Sequence, residues 1–181
     1  RSKRESVGPP GGATRVMSEN IFAEYGILGS VTEVDLSFNE SVDAMKDGNL
    51  EAVFVLAGVP AAAVIDLTTS HDARFLAIEP ERVDSLLAKF PYYTAERIPA
   101  GTYRGQTEEI TTIGIQNVLF ARADLSEDLV YRITKAIFEN LDYLVSIHQI
   151  ASLISVETAP QVPIPLHPGA ERYYREVGVL E

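Results

Sequence analysis

Residues 7–15, VGPPGGATR, have the composition of a turn that holds an anion. A valine that can end a strand precedes two prolines, three glycines and a threonine, and residues that favour a helix follow. Such turns set unpaired backbone N–H groups and the positive end of a helix dipole beside an anion. The first candidate ligand-binding residues are therefore Gly11, Gly12, Ala13 and Thr14, and Thr14 is also the expected N-cap of the helix.

The spacing within this turn argues against a nucleotide. Its three glycines do not follow the G-x-G-x-x-G fingerprint of dinucleotide-binding turns. In the P-loop pattern, the positions of the final Gly, the Lys and the Ser or Thr would be filled by Ala13, Thr14 and Arg15. The lysine that would meet the phosphates is missing, so we expect no nucleotide cofactor. A tight turn without any ligand remains open as the alternative.

Residue types that carry catalysis or metal binding do not converge in this sequence. It has no cysteine and no G-x-S-x-G motif. His71, His148 and His167 have no second ligand at metal-binding spacing except Asp72, and adjacent residues point in different directions. We therefore expect a binding protein without a metal or a cofactor, and no enzyme.

The overall charge excludes one further class of partner. The chain has 15 Lys and Arg against 26 Asp and Glu, a formal net charge of -11. Nucleic-acid binding requires a basic surface, which this composition does not supply. No apolar run approaches the ~20 residues of a membrane-spanning helix.

Strand-then-helix units repeat through the first ninety residues and predict a parallel α/β sheet. We expect strands at 5–7, 31–36, 52–57 and 74–78, and helices at 15–25, 37–47, 60–67 and 81–89. Ligands bind such sheets at the carboxyl ends of the strands. Three turns, at 9–14, 37–39 and 57–60, lie there before helix N-termini. They add Ser37, Gly58 and Pro60 to the candidates, with Ser37 and Glu40 at capping-box spacing and Pro60 at a favoured first helical position.

The pattern changes after residue 90. We expect an irregular loop at 90–105, an unusually long strand at 110–121, a helix from 126 with an apolar stripe, and a last short helix at 170–176. The loop contains Tyr92, Tyr93 and Tyr103. Their rings can either stack on a ligand or pack the loop against the sheet, and the residues alone leave both readings open.

Several segments, in order and over nearly the whole chain, resemble the TAXI family of solute-binding proteins, which serve tripartite ATP-independent periplasmic (TRAP) transporters. They are SVGPPGGAT, DLSFNESVDAMKDGNLEAVFVLAGVPAAAVIDLTTSHDARFLAI, KFPYYTAERIPAGTYRGQ, VLFARADLSEDLVYRITKAIFENLDYL and PIPLHPGAERYYREVGVL. The combination of IPAGTYRGQ with LHPGAERYYRE is far more specific than the glycine turn.

The resemblance implies a periplasmic-binding-protein fold of the second type, in which two α/β lobes joined by crossing strands close over a ligand. Such a protein carries a small organic anion or an amino acid such as glutamate to the membrane subunits of a TRAP permease, and it is periplasmic. Residues 1–109 would form the second lobe. Residues 110–181 would supply a crossing strand, the long helix and a tail that returns toward the first lobe. Relatives begin with a signal peptide and most of a first lobe, so we expect this chain to be the C-terminal portion of a longer protein.

The resemblance also refines the candidate site. Relatives often read G-S-G-T where this chain has Gly11, Gly12, Ala13 and Thr14, so a ligand carboxylate would depend on backbone N–H groups and the Thr14 hydroxyl. Ser37, Gly58 and Pro60 would shape the neighbouring wall, and Tyr103 and Gln116 would approach from the hinge. The alternative function is a ligand-sensing module of a regulator with the same two-lobed fold.

Overall fold

The computed structural model describes residues 3–181, which form two compact units. The first ends at Gln116 and the second comprises Asn117–Glu181. The first unit contains all the strands of the described chain, and the second is helical. The predicted α/β class is confirmed, and it is compatible with one lobe of a periplasmic-binding protein. Within residues 3–181, no helix has both the length and the hydropathy to cross a bilayer.

The first unit alternates strands and helices before it closes with two longer strands. Its elements, in chain order, are β1 Arg4–Ser6, α1 Ala13–Glu24, β2 Thr32–Val34, α2 Phe38–Lys46, β3 Ala52–Val53, α3 Ala62–Ser70, α4 Pro80–Lys89, β4 Tyr93–Ile98 and β5 Ile110–Ile115.

The first three strands form a parallel sheet in the order β2-β1-β3. Ser6, the last residue of β1, is in register with Val34 of β2 and with Val53 of β3. The carboxyl ends of all three strands therefore lie at one edge, as predicted. This alignment gathers the starts of α1, α2 and α3 at the same edge.

The helices of this unit pack in two separate layers. Met17 and Ile21 of α1 share a buried cluster with Val83 and Leu86 of α4. Val42 of α2 instead packs with residues of α3 in a second cluster. Right-handed crossovers from β1 to β2 and from β2 to β3 run in opposite directions along the sheet, which sets α1 and α2 on opposite faces.

Two of the predicted parallel strands are shorter or absent. The third strand ends at Val53, not at 57. Residues 74–78 are not a strand, although the Ile78 N–H donates to the Thr111 carbonyl at 2.9 Å. Leu76 within this segment is 71% exposed. The apolar composition is typical of a strand, but a single hydrogen bond to a neighbouring strand does not make a ladder.

The predicted loop and the predicted long strand pair with each other. β4 lies inside the expected loop 90–105 and is antiparallel to β5, with Tyr93 opposite Ile115 and Ile98 opposite Ile110. Pro91 and Pro99 flank this β-prone stretch without interrupting it, so the prolines mark its ends. The predicted strand 110–121 stops at Ile115 because β4 offers no partner beyond Tyr93. That it crosses to another lobe stays a prediction.

The second unit is built around the contact between two helices. Its elements are α5 Glu127–Glu139, α6 Leu141–Ile147, a 3₁₀ helix Gln149–Leu153 and α7 Pro168–Glu176. Ser126 caps α5, and Phe138 of α5 stacks on Tyr173 of α7 with ring centroids 5.7 Å apart. The predicted last helix is confirmed, with a start two residues earlier.

Gly169 sets how closely α5 and α7 approach. A Cβ at this position would lie 2.2 Å from the Glu127 carbonyl oxygen and 2.6 Å from the Tyr131 backbone nitrogen. Both are backbone atoms, so no side-chain rotation can make room. Glycine is therefore required by this helix contact.

We expect Gly169→Ala to destabilise the second unit by about 2–3 kcal/mol, because the added methyl forces the two helix backbones apart. Urea denaturation followed by circular dichroism measures the change. Ala136→Ser adds one heavy atom on an exposed position of α5 and should change stability by no more than about 0.5 kcal/mol. Equal effects of the two substitutions would contradict the backbone contact.

Candidate functional site

The predicted ligand-binding turns come together at the carboxyl edge of the parallel sheet. Leu36, in the segment after β2, donates its N–H to the Gly8 carbonyl at 3.1 Å, and Phe54 after β3 donates to the Ser6 carbonyl at 2.9 Å. The segments that lead to α1, α2 and α3 are thereby tied to one another. Each helix N-terminus at this edge is satisfied in a different way.

The turn before α1 is closed by its own backbone. The Gly12 N–H donates to the Pro9 carbonyl at 3.1 Å, so it is not available to a ligand. Gly12, not Thr14, is the N-cap residue, and no side chain caps α1 within the described chain. The backbone N–H groups of Ala13 and Thr14 have no partner among residues 3–181. Two of the four predicted residues therefore offer unpaired donors, while Gly11 adopts a positive φ of 69° in the turn itself.

Thr14 is held under the turn by its contact with Gly8. A Cβ on Gly8 would lie 2.7 Å from the Thr14 Cβ, and the φ of Gly8 is 86°, so glycine is needed there on both counts. Thr14 is only 5% exposed. Its hydroxyl nonetheless has no hydrogen-bond partner in residues 3–181 and is not fully enclosed. It is therefore a fixed, unpaired polar group beside the unpaired N–H groups.

The arginine beside this turn is already neutralised. The Arg15 guanidinium contacts Asp35 and Glu33 at 2.6 Å each and Glu19 at 2.9 Å. The hydrogen bond to Asp35, with the charges of the neighbouring carboxylates, raises the pKa of Arg15. Arg15 therefore binds carboxylates of the chain itself, and an anion at the turn depends on uncharged donors.

The start of α2 is occupied by a carboxylate of its own helix. The predicted capping box is confirmed: the Ser37 N–H donates to the Glu40 carboxylate at 2.9 Å, the Ser37 hydroxyl donates to it at 2.6 Å, and the Glu40 N–H donates to the Ser37 Oγ at 3.4 Å. These bonds from the Ser37 hydroxyl and backbone lower the pKa of Glu40. The Ser37 hydroxyl is therefore engaged within the chain.

A buried line of hydroxyls joins the α1 turn to α2. The Ser41 Oγ donates to the Ser37 carbonyl at 2.7 Å, so the proton in its 2.6 Å contact with Ser6 comes from the Ser6 hydroxyl. The Ser6 Oγ in turn accepts a long, 3.5 Å bond from the Gly8 N–H. Ser6 and Ser41 are fully buried. Neither role was predicted from the sequence, since a single serine in a strand or in a helix carries no periodic signal.

The start of α3 is capped by Tyr103. Pro60 follows a cis peptide bond and precedes α3, and it is not the first helical residue; Ala61 is the N-cap. The Ala61 N–H donates to the Tyr103 hydroxyl at 2.9 Å. The Tyr103 ring is 5% exposed and stacks on Phe75, with centroids 5.3 Å apart. Of the two readings for this tyrosine, the structure shows packing, and it places the hydroxyl beside the turn that contains Gly58.

Gln106 fixes the loop that presents Tyr103. Its side-chain amide donates to the carbonyls of Ile98, Pro99 and Glu108 at 3.2, 3.0 and 2.8 Å, and its Oε1 accepts from the Tyr103 N–H at 3.2 Å. Gln106 is 5% exposed, so these bonds replace the water that these backbone groups would otherwise need. This glutamine ends the IPAGTYRGQ motif, but its structural role was not predicted.

Within residues 3–181, no hydrogen bond joins the remaining candidate to this edge. Gln116 is exposed and is the last residue of the first unit. Its proposed approach from a hinge stays a prediction. The edge thus unites the glycine turn, Ser37, Gly58, Pro60 and Tyr103.

The chemistry that this edge can perform is hydrogen bonding to an anion. The unpaired N–H groups of Ala13 and Thr14, the Thr14 hydroxyl and the dipole of α1 all favour a small negative group. Among residues 3–181, no three His, Cys, Asp or Glu side chains cluster as metal ligands.

The model of the NMT1-like family matches residues 1–178, almost the entire chain. This family is associated with periplasmic binding proteins. The match therefore supports a solute-binding protein with a small-ligand partner.

We expect Tyr103→Phe to lower the free energy of unfolding by about 1–3 kcal/mol, because the buried Ala61 N–H loses its acceptor. Chemical denaturation measures the change. Tyr92→Phe removes a hydroxyl from a ring that is 54% exposed and serves as the control. If Tyr103→Phe were as stable as Tyr92→Phe, Tyr103 would not hold the start of α3.

Proposed function

This chain belongs to the NMT1-like family, and we propose that it is a receptor that captures a small carboxylate or an amino acid such as glutamate. In this proposal it acts in the periplasm and delivers the ligand to the membrane subunits of a TRAP-type permease. The resemblance of IPAGTYRGQ and LHPGAERYYRE to TAXI proteins supports this finer assignment. The receptor binds its ligand without converting it.

The observation that carries the proposal is the open N-terminus of α1. At the starts of α2 and α3 the nearby hydroxyls are engaged: the Ser37 hydroxyl donates to Glu40, and the Tyr103 hydroxyl accepts from the N-cap Ala61 N–H. An uncapped helix start leaves donors that water or a ligand must satisfy. Thr14 adds a buried residue with an unpaired hydroxyl, whose position is fixed by Gly8. A carboxylate has the two oxygens needed to accept from both the backbone N–H groups and this hydroxyl.

In this proposal, the arginine beside the α1 turn does not pair with the ligand. Arg15 is held by three carboxylates. A receptor must release its ligand to the permease, and neutral donors in a dry cleft hold a carboxylate without a competing permanent ion pair.

The test is calorimetry on the protein in its native full-length form, with a panel of small carboxylates and amino acids that includes glutamate. We expect binding of at least one member. Thr14→Val, which keeps the shape of the side chain, should weaken that binding by about tenfold through the loss of one hydrogen bond to a charged group.

Thr112→Val removes a threonine hydroxyl from the separate sheet of β4 and β5 and should leave the affinity unchanged. Failure of every ligand in the panel to bind would contradict the proposed function. Binding that Thr14→Val does not weaken would contradict the assigned site while leaving a receptor function in place.

A further inference from the structure

Glu40 places a carboxylate at the start of α2. Its carboxylate accepts from both the backbone N–H and the hydroxyl of Ser37. The start of α1 has no such occupant among residues 3–181: the first turn of α1 contains no acidic residue, and no side chain caps it. The start of α2 therefore carries a fixed carboxylate, and the start of α1 does not.

The Glu40 carboxylate is held close to the proposed ligand position. β1 and β2 are neighbours in the sheet, and neighbouring strands are about 4.8 Å apart. The Leu36–Gly8 hydrogen bond keeps the two turns together. The hydroxyls of Ser6 and Ser41 connect the same two turns through the sheet. Glu40 is also charged at neutral pH, because its bonds from Ser37 lower its pKa.

Among residues 3–181, no Lys or Arg forms a salt bridge with Glu40. Arg15, beside the α1 turn, is shared by Glu19, Glu33 and Asp35. One positive and three negative groups leave that cluster with an excess of two negative charges. With Glu40, the fixed charges around the open helix start are predominantly negative.

We propose that Glu40 is a specificity-determining residue, which limits this side of the site to ligands that present a single carboxylate. A second carboxylate on the ligand meets the repulsion of Glu40, whereas an amide or another neutral group does not. The inference deepens the proposed function and rests on it. It names the charge class of the ligand: one carboxylate at α1 and a neutral or positive remainder toward α2.

Isosteric ligand pairs that differ by one charge isolate this effect. Glutamine against glutamate, and succinamate against succinate, replace one carboxylate by an amide of nearly the same shape. We expect the native full-length protein to prefer the amide in each pair. The second carboxylate of the ligand would lie roughly 8 Å from the Glu40 carboxylate, in a medium with an effective dielectric constant of about 40. Replacing it by an amide removes this repulsion and changes the affinity by about fivefold.

Glu40→Gln is the decisive variant, because a glutamine still accepts from Ser37 and keeps the capping box. In this variant, the affinity for the acid divided by the affinity for the amide should rise by about fivefold. This rise should disappear in 1 M salt, where the Debye length is about 3 Å. A role of Glu40 in helix stability alone would change both members of a pair equally and would not respond to salt in this way.

Glu81→Gln is the matched control. Glu81 is an exposed glutamate in the first turn of α4. This turn lies beside the C-terminal end of α1, because the hydroxyl of Tyr25 donates to Glu79. Its ratio of acid to amide should equal that of the unchanged protein. The inference would be overturned if Glu40→Gln left the acid-to-amide affinity ratio unchanged. It would also be overturned if the native protein preferred the dicarboxylate member of each pair. If none of these four ligands and no other member of the calorimetry panel binds, the proposed function itself is contradicted. That outcome is distinct from a failure of the inference about Glu40 alone.

Discussion

The alignment of three short parallel strands is the constraint on which the rest of the first unit depends. Ser6 lies in register with Val34 and Val53, so the chain leaves all three strands at the same edge. Because each strand leads into a helix, three helix N-termini must share this edge, each with N–H groups that its own helix cannot satisfy. The candidate site is defined by the groups that the chain places beside these N–H groups at each of the three helix starts.

Different groups lie at the three helix starts of this edge. Glu40 fills the start of α2 with charge, and Tyr103 fills the start of α3 with a neutral hydroxyl. Gln106 holds Tyr103 in place through the loop between β4 and β5. At the start of α1, the N–H groups of Ala13 and Thr14 and the Thr14 hydroxyl have no partner among the described residues. In this account, the Glu40 carboxylate and the Tyr103 hydroxyl determine what surrounds an anion bound at the start of α1.

The sequence was sufficient to predict elements whose signals are local. The parallel sheet, the Ser37–Glu40 capping box and the gathering of the turns at one edge follow from apolar runs and cap residues. Long-range contacts were not predictable. Whether 74–78 forms a strand depends on a partner far along the chain, and Tyr103 caps a helix that begins 41 residues before it. Ser6 and Gln106 owe their roles to burial, which no periodic pattern marks.

The central claim is that the start of α1 receives a carboxylate through backbone donors. The most direct measurement is a titration of the ¹⁵N-labelled protein with its ligand, followed by the amide resonances of residues 8–14. We predict that the Ala13 and Thr14 amide protons move most, to lower field, as they gain a charged acceptor. Saturating ligand that leaves both resonances in place would contradict the account.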